Sequence, residues 1–181
     1  MISFPLIEGL RPTSNRIRET LFNWLQDNIG GEDCLDLFAG SGACGIEALS
    51  RGARTVHFVE INKQAAMMIE YNLVKLKASS TQVHFMDAIE WLSSATKDDE
   101  QKFGLVFIDP PYGDNIEIEC CRLLEHSGRL KPSALIYLES DKKLPLTKLP
   151  ENWRVEKTRK AGQVNFFLFR RMQTKRKPSS E

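Results

Sequence analysis

The chain has 181 residues, 41% of them hydrophobic and 27% charged, which suffices for one domain with a real core. Its 25 Lys and Arg stand against 24 Asp and Glu, a formal net charge of +1, which excludes a globally basic nucleic-acid coat but leaves room for a local basic patch. No apolar stretch nears the ~20 residues of a membrane span, and the start MISFPLIEGLRP lacks the basic-then-apolar pattern of a signal peptide.

In chain order, the pattern alternates short apolar runs with amphipathic stretches, as βαβ units and a parallel sheet do. A first helix is expected over 14–28, capped by Thr13 or Ser14, with Ile17, Leu21, Trp24 and Leu25 on one face. A strand over 34–38 breaks at Gly40-Ser41-Gly42, and a helix over 44–51 ends at Gly52. Next come a strand over 56–60, a long helix over 63–76, a strand over 83–86 and a short helix over 88–93. Residues 97–102 are polar and read as a surface loop. The run 105–108 is continuously apolar, as a buried central strand is, and stops at Asp109-Pro110-Pro111-Tyr112. A helix over 117–126 and a fifth strand over 135–139 follow.

Two strands with no helix between them then appear, over 153–158 and 164–170, joined by a link of hairpin length. The expected fold is therefore an α/β, mostly parallel sheet of seven strands with a C-terminal antiparallel hairpin. Residues 1–172 form one expected domain, and the basic tail 173–181 is expected to be disordered.

Cys34, Cys44, Cys120 and Cys121 contain no C-x-x-C pair, so reduced thiols in a cytoplasmic protein are expected. His57, His84 and His126 are scattered and form no metal pattern, and Trp24, Trp91 and Trp153 read as core packing.

Gly40-Ser41-Gly42-Ala43-Cys44-Gly45 matches G-x-G-x-x-G between a strand and a helix, and Glu60 ends the next strand. Glycines let a backbone approach a ligand, and the acid suits a ribose hydroxyl pair. Alone, this pattern means a nucleotide-like cofactor. A dinucleotide wants a bare helix N-terminus for its pyrophosphate. S-adenosylmethionine has no phosphate and carries an ammonium and a sulfonium. Asp36 lies inside an apolar strand, where a carboxylate is expensive unless paired. Asp87 is a third acid at a strand end; it suits an adenine amino group and is equally a helix cap. Three acids at successive strand ends favour S-adenosylmethionine.

Asp109-Pro110-Pro111-Tyr112 makes a stiff, extended turn with free carbonyls. An Asp109 oxygen and the Pro110 carbonyl are two acceptors for the two N–H bonds of an exocyclic amine. Held so, the nitrogen lone pair can point at a sulfonium methyl, and transfer depends on orientation and electrostatics. Tyr112 offers a face on which an extruded base can stack.

These two motifs, Asp36 to Gly42 and Asp109 to Tyr112, resemble those of S-adenosylmethionine-dependent amino-methyltransferases. Gly9 to Thr13, Arg18 to Leu25, Glu47 to Ala53 and Lys160 to Val164 resemble, more specifically, the bacterial 16S rRNA guanine-N2 methyltransferase D family. The resemblance implies a Rossmann-like class I methyltransferase fold, with helices on both faces of the sheet. Phe38, Gly40, Ser41 and Gly42 would hold the methionine end of the cofactor, Glu60 its ribose, and Asp87 with Ala88 its adenine. Arg11 to Thr13 would close over the cofactor, and Asp109, Pro110, Pro111 and Tyr112 would hold the guanine amine.

The implied substrate is a guanine of 16S rRNA in the assembled or assembling small ribosomal subunit, and a monomer with no metal and no membrane contact is expected. Members of that family usually begin with a basic, glycine-containing β-hairpin. Here eight residues precede Gly9, none of them Lys or Arg. The expectation is either a weaker grip on rRNA or a recorded start inside the true one. Basic residues gather at Arg154, Lys157, Arg159 and Lys160 and again from Arg170 onward; they suit phosphates or a solvated face. The alternatives are an adenine-N6 methyltransferase on DNA or RNA, an NAD-dependent oxidoreductase and a non-catalytic rRNA-binding factor.

Overall fold

The computed structural model describes residues 15–95, 101–111 and 116–173. Arg11, Thr13, Tyr112, the loop residues 97–100 and the tail beyond Gln173 lie outside them. Five helices and seven strands are described: α1 Asn15–Leu25, β1 Asp33–Asp36, α2 Ala43–Ser50, β2 Thr55–Glu60, α3 Lys63–Lys75, β3 Thr81–Phe85, α4 Ala88–Ser93, β4 Phe103–Ile108, α5 Ile116–His126, β5 Leu130–Ser140, β6 Trp153–Ala161 and β7 Val164–Arg171.

The strands form a single sheet in the order β3-β2-β1-β4-β5-β7-β6. β1 to β5 are parallel, and β7 pairs antiparallel with both β5 and β6. The order reverses between β1 and β4, and in such sheets ligands bind outside the strand C-termini at this reversal. Each face is buried under helices, which is why β4 reads as an uninterrupted apolar run. On one face Leu21 and Phe22 of α1, Ile46 of α2 and Ile69 of α3 pack with Phe107, Tyr137 and Phe166. On the other, Trp91 of α4 and Leu124 of α5 pack with Val106, Ile136 and Phe169.

The differences from the sequence reading are local. Leu37 and Phe38 turn out of β1, although Leu37 N–H still donates to the Phe107 carbonyl at 3.0 Å. β5 begins at Leu130 and not at 135, because a bulge between Phe103 and Leu105 lets its polar first half join the sheet. The expected five-residue hairpin link shrinks to Gly162-Gln163, since Ala161 still pairs with Val164. Gly162 has φ 61 and Gln163 has no positive φ, which makes a type II′ turn. A short 3-10 turn, Leu146–Lys148, was not expected.

Among the described residues no helix is long and apolar enough to cross a membrane. The four thiols are buried and free. His57 and His84 face each other at 3.2 Å and pack on Phe103 and Trp91, a structural pair. No group of three or more described His, Cys, Asp or Glu residues is placed to hold a metal.

Candidate active site

The carboxyl ends of the parallel strands share one edge of the sheet. Asp36 ends β1, Glu60 ends β2, Asp87 follows β3, Asp109 follows β4, and Glu139 is the penultimate residue of β5. The sheet thus brings together the acids that the sequence placed at successive strand ends.

The glycine loop is tied to this edge by two carboxylates. Gly40 N–H donates to Glu60 Oε2 at 2.6 Å, and Asn62 N–H donates to Glu60 Oε1 at 2.6 Å. Each carboxylate oxygen has a second lone pair, so Glu60 can still accept from a ligand. Gly45 N–H donates to Asp36 Oδ2 at 2.9 Å. Asp36 therefore caps the first turn of α2 from inside the fold, where Gly42 at φ 76 offers no side-chain cap. Gly45 is needed for a second reason. A Cβ there would lie 2.2 Å from Phe58 Cε1, so the helix can approach the sheet only without a side chain. Phe38 and Ser41 are half-buried on the same loop, and Gly42 is buried.

Asp36 is nonetheless not fully compensated. Burial first, with the nearby Asp109 and Glu60 carboxylates adding to it, pushes its carboxyl up to about 7 against the single opposing hydrogen bond from Gly45. A cation bound among these acids would relieve that penalty. The set of acceptors therefore fits a ligand that brings positive charge and a ribose, and fits a pyrophosphate poorly.

Asp87 is the N-cap of α4. Its Oδ1 accepts from Ile89 N–H at 2.8 Å and Glu90 N–H at 3.0 Å, so Oδ2 is the oxygen left for a ligand. Ala88 buries its methyl in the core and can offer the site only its backbone at the head of α4. Two exposed apolar residues were missed by the sequence reading. Ile61, 65% exposed, follows Glu60, and Phe85, 58% exposed, pairs with Glu60 in register. Their adjacency follows from the register of β2 with β3, which the sequence does not show.

Asp36 and Phe107 are register partners, as are Phe107 and Tyr137. Side chains alternate along a strand, so Asp109 lies on the same face as Asp36, as does Glu139. Tyr137 donates to Glu139 Oε1 at 2.7 Å, a buried pair beside Asp109 that the sequence reading did not single out. Pro110 is buried and Pro111 exposed, so the turn is anchored at its base. The structure thus gathers Asp36, Phe38, Gly40, Ser41, Gly42, Glu60, Asp87, Ala88, Asp109, Pro110 and Pro111 at one edge.

This strand order, with its acids around the glycine loop and its antiparallel terminal hairpin, defines a Rossmann-like methyltransferase fold. Solved structures that share it include the Escherichia coli protein yhhF (TM-score 0.84, 39% identity, 93% of this chain and 91% of that one) and, as a likeness of fold alone, a ribosomal protein L11 methylase from Lactobacillus delbrueckii subsp. bulgaricus (TM-score 0.68, 18% identity, 87% and 80%).

The family model described as "Conserved hypothetical protein 95" matches residues 1–170. Ribosomal RNA small subunit methyltransferase D of Haemophilus influenzae is 43% identical over 90% of this chain and 83% of its own length. The Escherichia coli K12 protein of the same name is 41% identical over 90% and 80%. The chain belongs to this methyltransferase D family.

Proposed function

We propose that the chain transfers a methyl group from S-adenosylmethionine to the exocyclic N2 amine of a guanine in 16S rRNA of the small ribosomal subunit. The observation that carries the reading is the shared face of Asp36 and Asp109 across the sheet's reversal point. Asp36 would lie on the cofactor side, and Asp109, within electrostatic reach of it, begins the Asp-Pro-Pro turn. Membership of the methyltransferase D family supports the choice of substrate.

Bound here, the cofactor supplies a methyl carbon on a cationic sulfur, which leaves as a neutral thioether. Glu60 would accept from the ribose hydroxyls while it keeps the glycine loop in place. Asp36 would balance positive charge, and Ile61 and Phe85 would border the adenine with apolar surface. The free oxygen of Asp87 and the backbone at Ala88 would meet the adenine edge. Asp109 and the Pro110 carbonyl would accept the two N–H bonds of the guanine amine and direct its lone pair at the methyl carbon. As the new C–N bond forms and the C–S bond breaks, the nitrogen gains positive charge, and the Asp109 carboxylate stands ready for the proton it sheds. Arg11 and Thr13 would close over the cofactor, and Tyr112 would stack on the extruded base. Residues 1–172 would act as one catalytic domain, a monomer in the cytoplasm.

The test is methyl transfer from labelled S-adenosylmethionine to small subunits lacking their modification, followed by nucleoside mass spectrometry. N2-methylguanosine is expected. N6-methyladenosine would replace the substrate, and no methylated nucleoside would overturn the reading.

A further inference from the structure

An acidic pocket poses a problem for a polyanionic substrate. Asp36, Glu60, Asp87, Asp109 and Glu139 crowd one edge of the sheet and would repel RNA phosphates. Attraction has to come from a neighbouring surface, and the register shows where one lies.

Ile108 pairs with Leu138, so Asp109 and Glu139 stand side by side beyond them. Glu139 pairs with Phe166, and Phe166 pairs with Arg159. Register partners share a face, so Arg159 occupies the same lateral row and the same face as Asp109, three strands away. At ~4.8 Å per strand the separation is about 14 Å. Lys157 lies on that face one pleat below, opposite Leu168; Lys160, one step nearer the hairpin tip and opposite Asn165, belongs to the other face.

The platform is stiff. The strands close in the two-residue turn Gly162-Gln163, and Asn165 Nδ2 donates to the Lys142 carbonyl at 3.3 Å, which ties the hairpin to the segment after β5 that carries Lys143. Lys143, Lys157, Arg159 and Lys160 are exposed and form no ion pair with a described residue. By contrast, Arg170 on the same hairpin is held by Glu156, and Arg171 by Glu125 at 2.7 Å. Three of the hairpin's cations without an ion pair to a described residue, Lys157, Arg159 and Lys160, thus lie toward its site end, while Arg154, also exposed, lies at the far end beside the committed Arg170 and Arg171.

We propose that the site end of the β6–β7 hairpin, with Lys143 beside it, is the docking surface for the RNA backbone. It grips phosphates a few nucleotides from the methylated base and offsets the repulsion of the acidic pocket. The proposal rests on the reading of the substrate as RNA. Such contacts position the strand and carry no sequence information.

The test compares the full chain with two double charge reversals of equal net change. Lys157→Glu/Arg159→Glu alters the proposed surface, and Lys75→Glu/Lys77→Glu alters the end of α3. Binding to small ribosomal subunits lacking their modification is measured across salt concentrations. The hairpin reversal is expected to raise Kd at least tenfold and to flatten the slope of log K against log salt by about 1.5, the contribution of about two phosphates. Affinity for S-adenosylmethionine and the melting temperature are expected to stay at the parent's values. The α3 reversal and the charge-keeping Lys157→Arg/Arg159→Lys should bind as the parent does. Equal effects of the two reversals, no effect of the hairpin reversal, or a parent that binds no subunits at any salt would each overturn the proposal. Salt-dependent binding that is lost on hairpin reversal, in a protein that yields no methylated nucleoside, would uphold the surface and overturn only the transfer reading.

Discussion

The N–H of Gly40 reaches Glu60 Oε2 across 2.6 Å, and this contact joins the turn after β1 to the end of β2. The same carboxylate holds Asn62 N–H, so one side chain ties the turn after β1 to the turn after β2. Glu60→Gln keeps the shape but leaves one carbonyl for two backbone donors. Cofactor Kd is expected to rise tenfold or more, read by calorimetry with S-adenosylmethionine; an unchanged Kd would remove Glu60 from the ribose contact.

Asp109 follows β4 and begins the turn that would hold the acceptor amine. Asp109→Ala should lower kcat for methyl transfer by about a thousandfold or more, in line with the loss of a preorganised electrostatic contact. Cofactor affinity should change by less than threefold. Most of the rate surviving in this variant would exclude the role.

Asp36 is raised to about 7, chiefly by burial. A cationic ligand favours its ionised form, so binding below pH 7 must expel a proton. Cofactor Kd should therefore be flat above pH 8 and rise toward tenfold per pH unit below about pH 6.5. Asp36→Asn should bind more weakly and lose that slope. Calorimetry in buffers of different ionisation enthalpy counts the released proton directly.

The His57–His84 pair gives a separate signature. Burial, helped by His84 and Arg129, lowers His57 to about 4, and burial with Arg129 lowers His84 too. Folded values below the ordinary 6.5 mean that the neutral pair supports the fold. That support is complete above pH 6.5 and fades as pH falls toward 4. Asp36, whose folded value is raised, works in the opposite direction, since its protonation favours the folded state. Melting temperatures of the parent and of His57→Asn/His84→Asn, compared from pH 7.5 to 5, isolate the histidine contribution. The parent should lose about 1–2 kcal/mol more than the variant over that range.

The elements were legible because periodicity changes with the secondary structure. The continuous apolar run before Asp109 marked β4 as central, and Gly52 marked the end of α2. The acids stood out because a carboxylate inside an apolar run needs a reason. Other features were not legible, since spacing along a chain says nothing about register across a sheet. The Gly45 N–H on Asp36, the Tyr137–Glu139 pair and the alignment of Arg159 with Asp109 all depend on which residues lie opposite each other. Asp87 had two chemically reasonable roles, and the structure shows the helix cap, made through Oδ1. The start of β5 was hidden by Lys131 and Pro132, which break the apolar run while the bulge still admits them to the sheet.

All four cysteines are buried, and burial pushes Cys34 and Cys120 up to about 12 and holds Cys44 and Cys121 well above the ordinary thiol range. A thiol-directed reagent at neutral pH thus meets a chemically silent molecule. Gln163→Cys, on the exposed turn between β6 and β7, would be the single reactive handle on the native surface. A photocrosslinker or a cleaving chelate attached there would leave its footprint on whichever nucleotides pass the hairpin, and so would locate the chain on its particle without any prior guess at the target base.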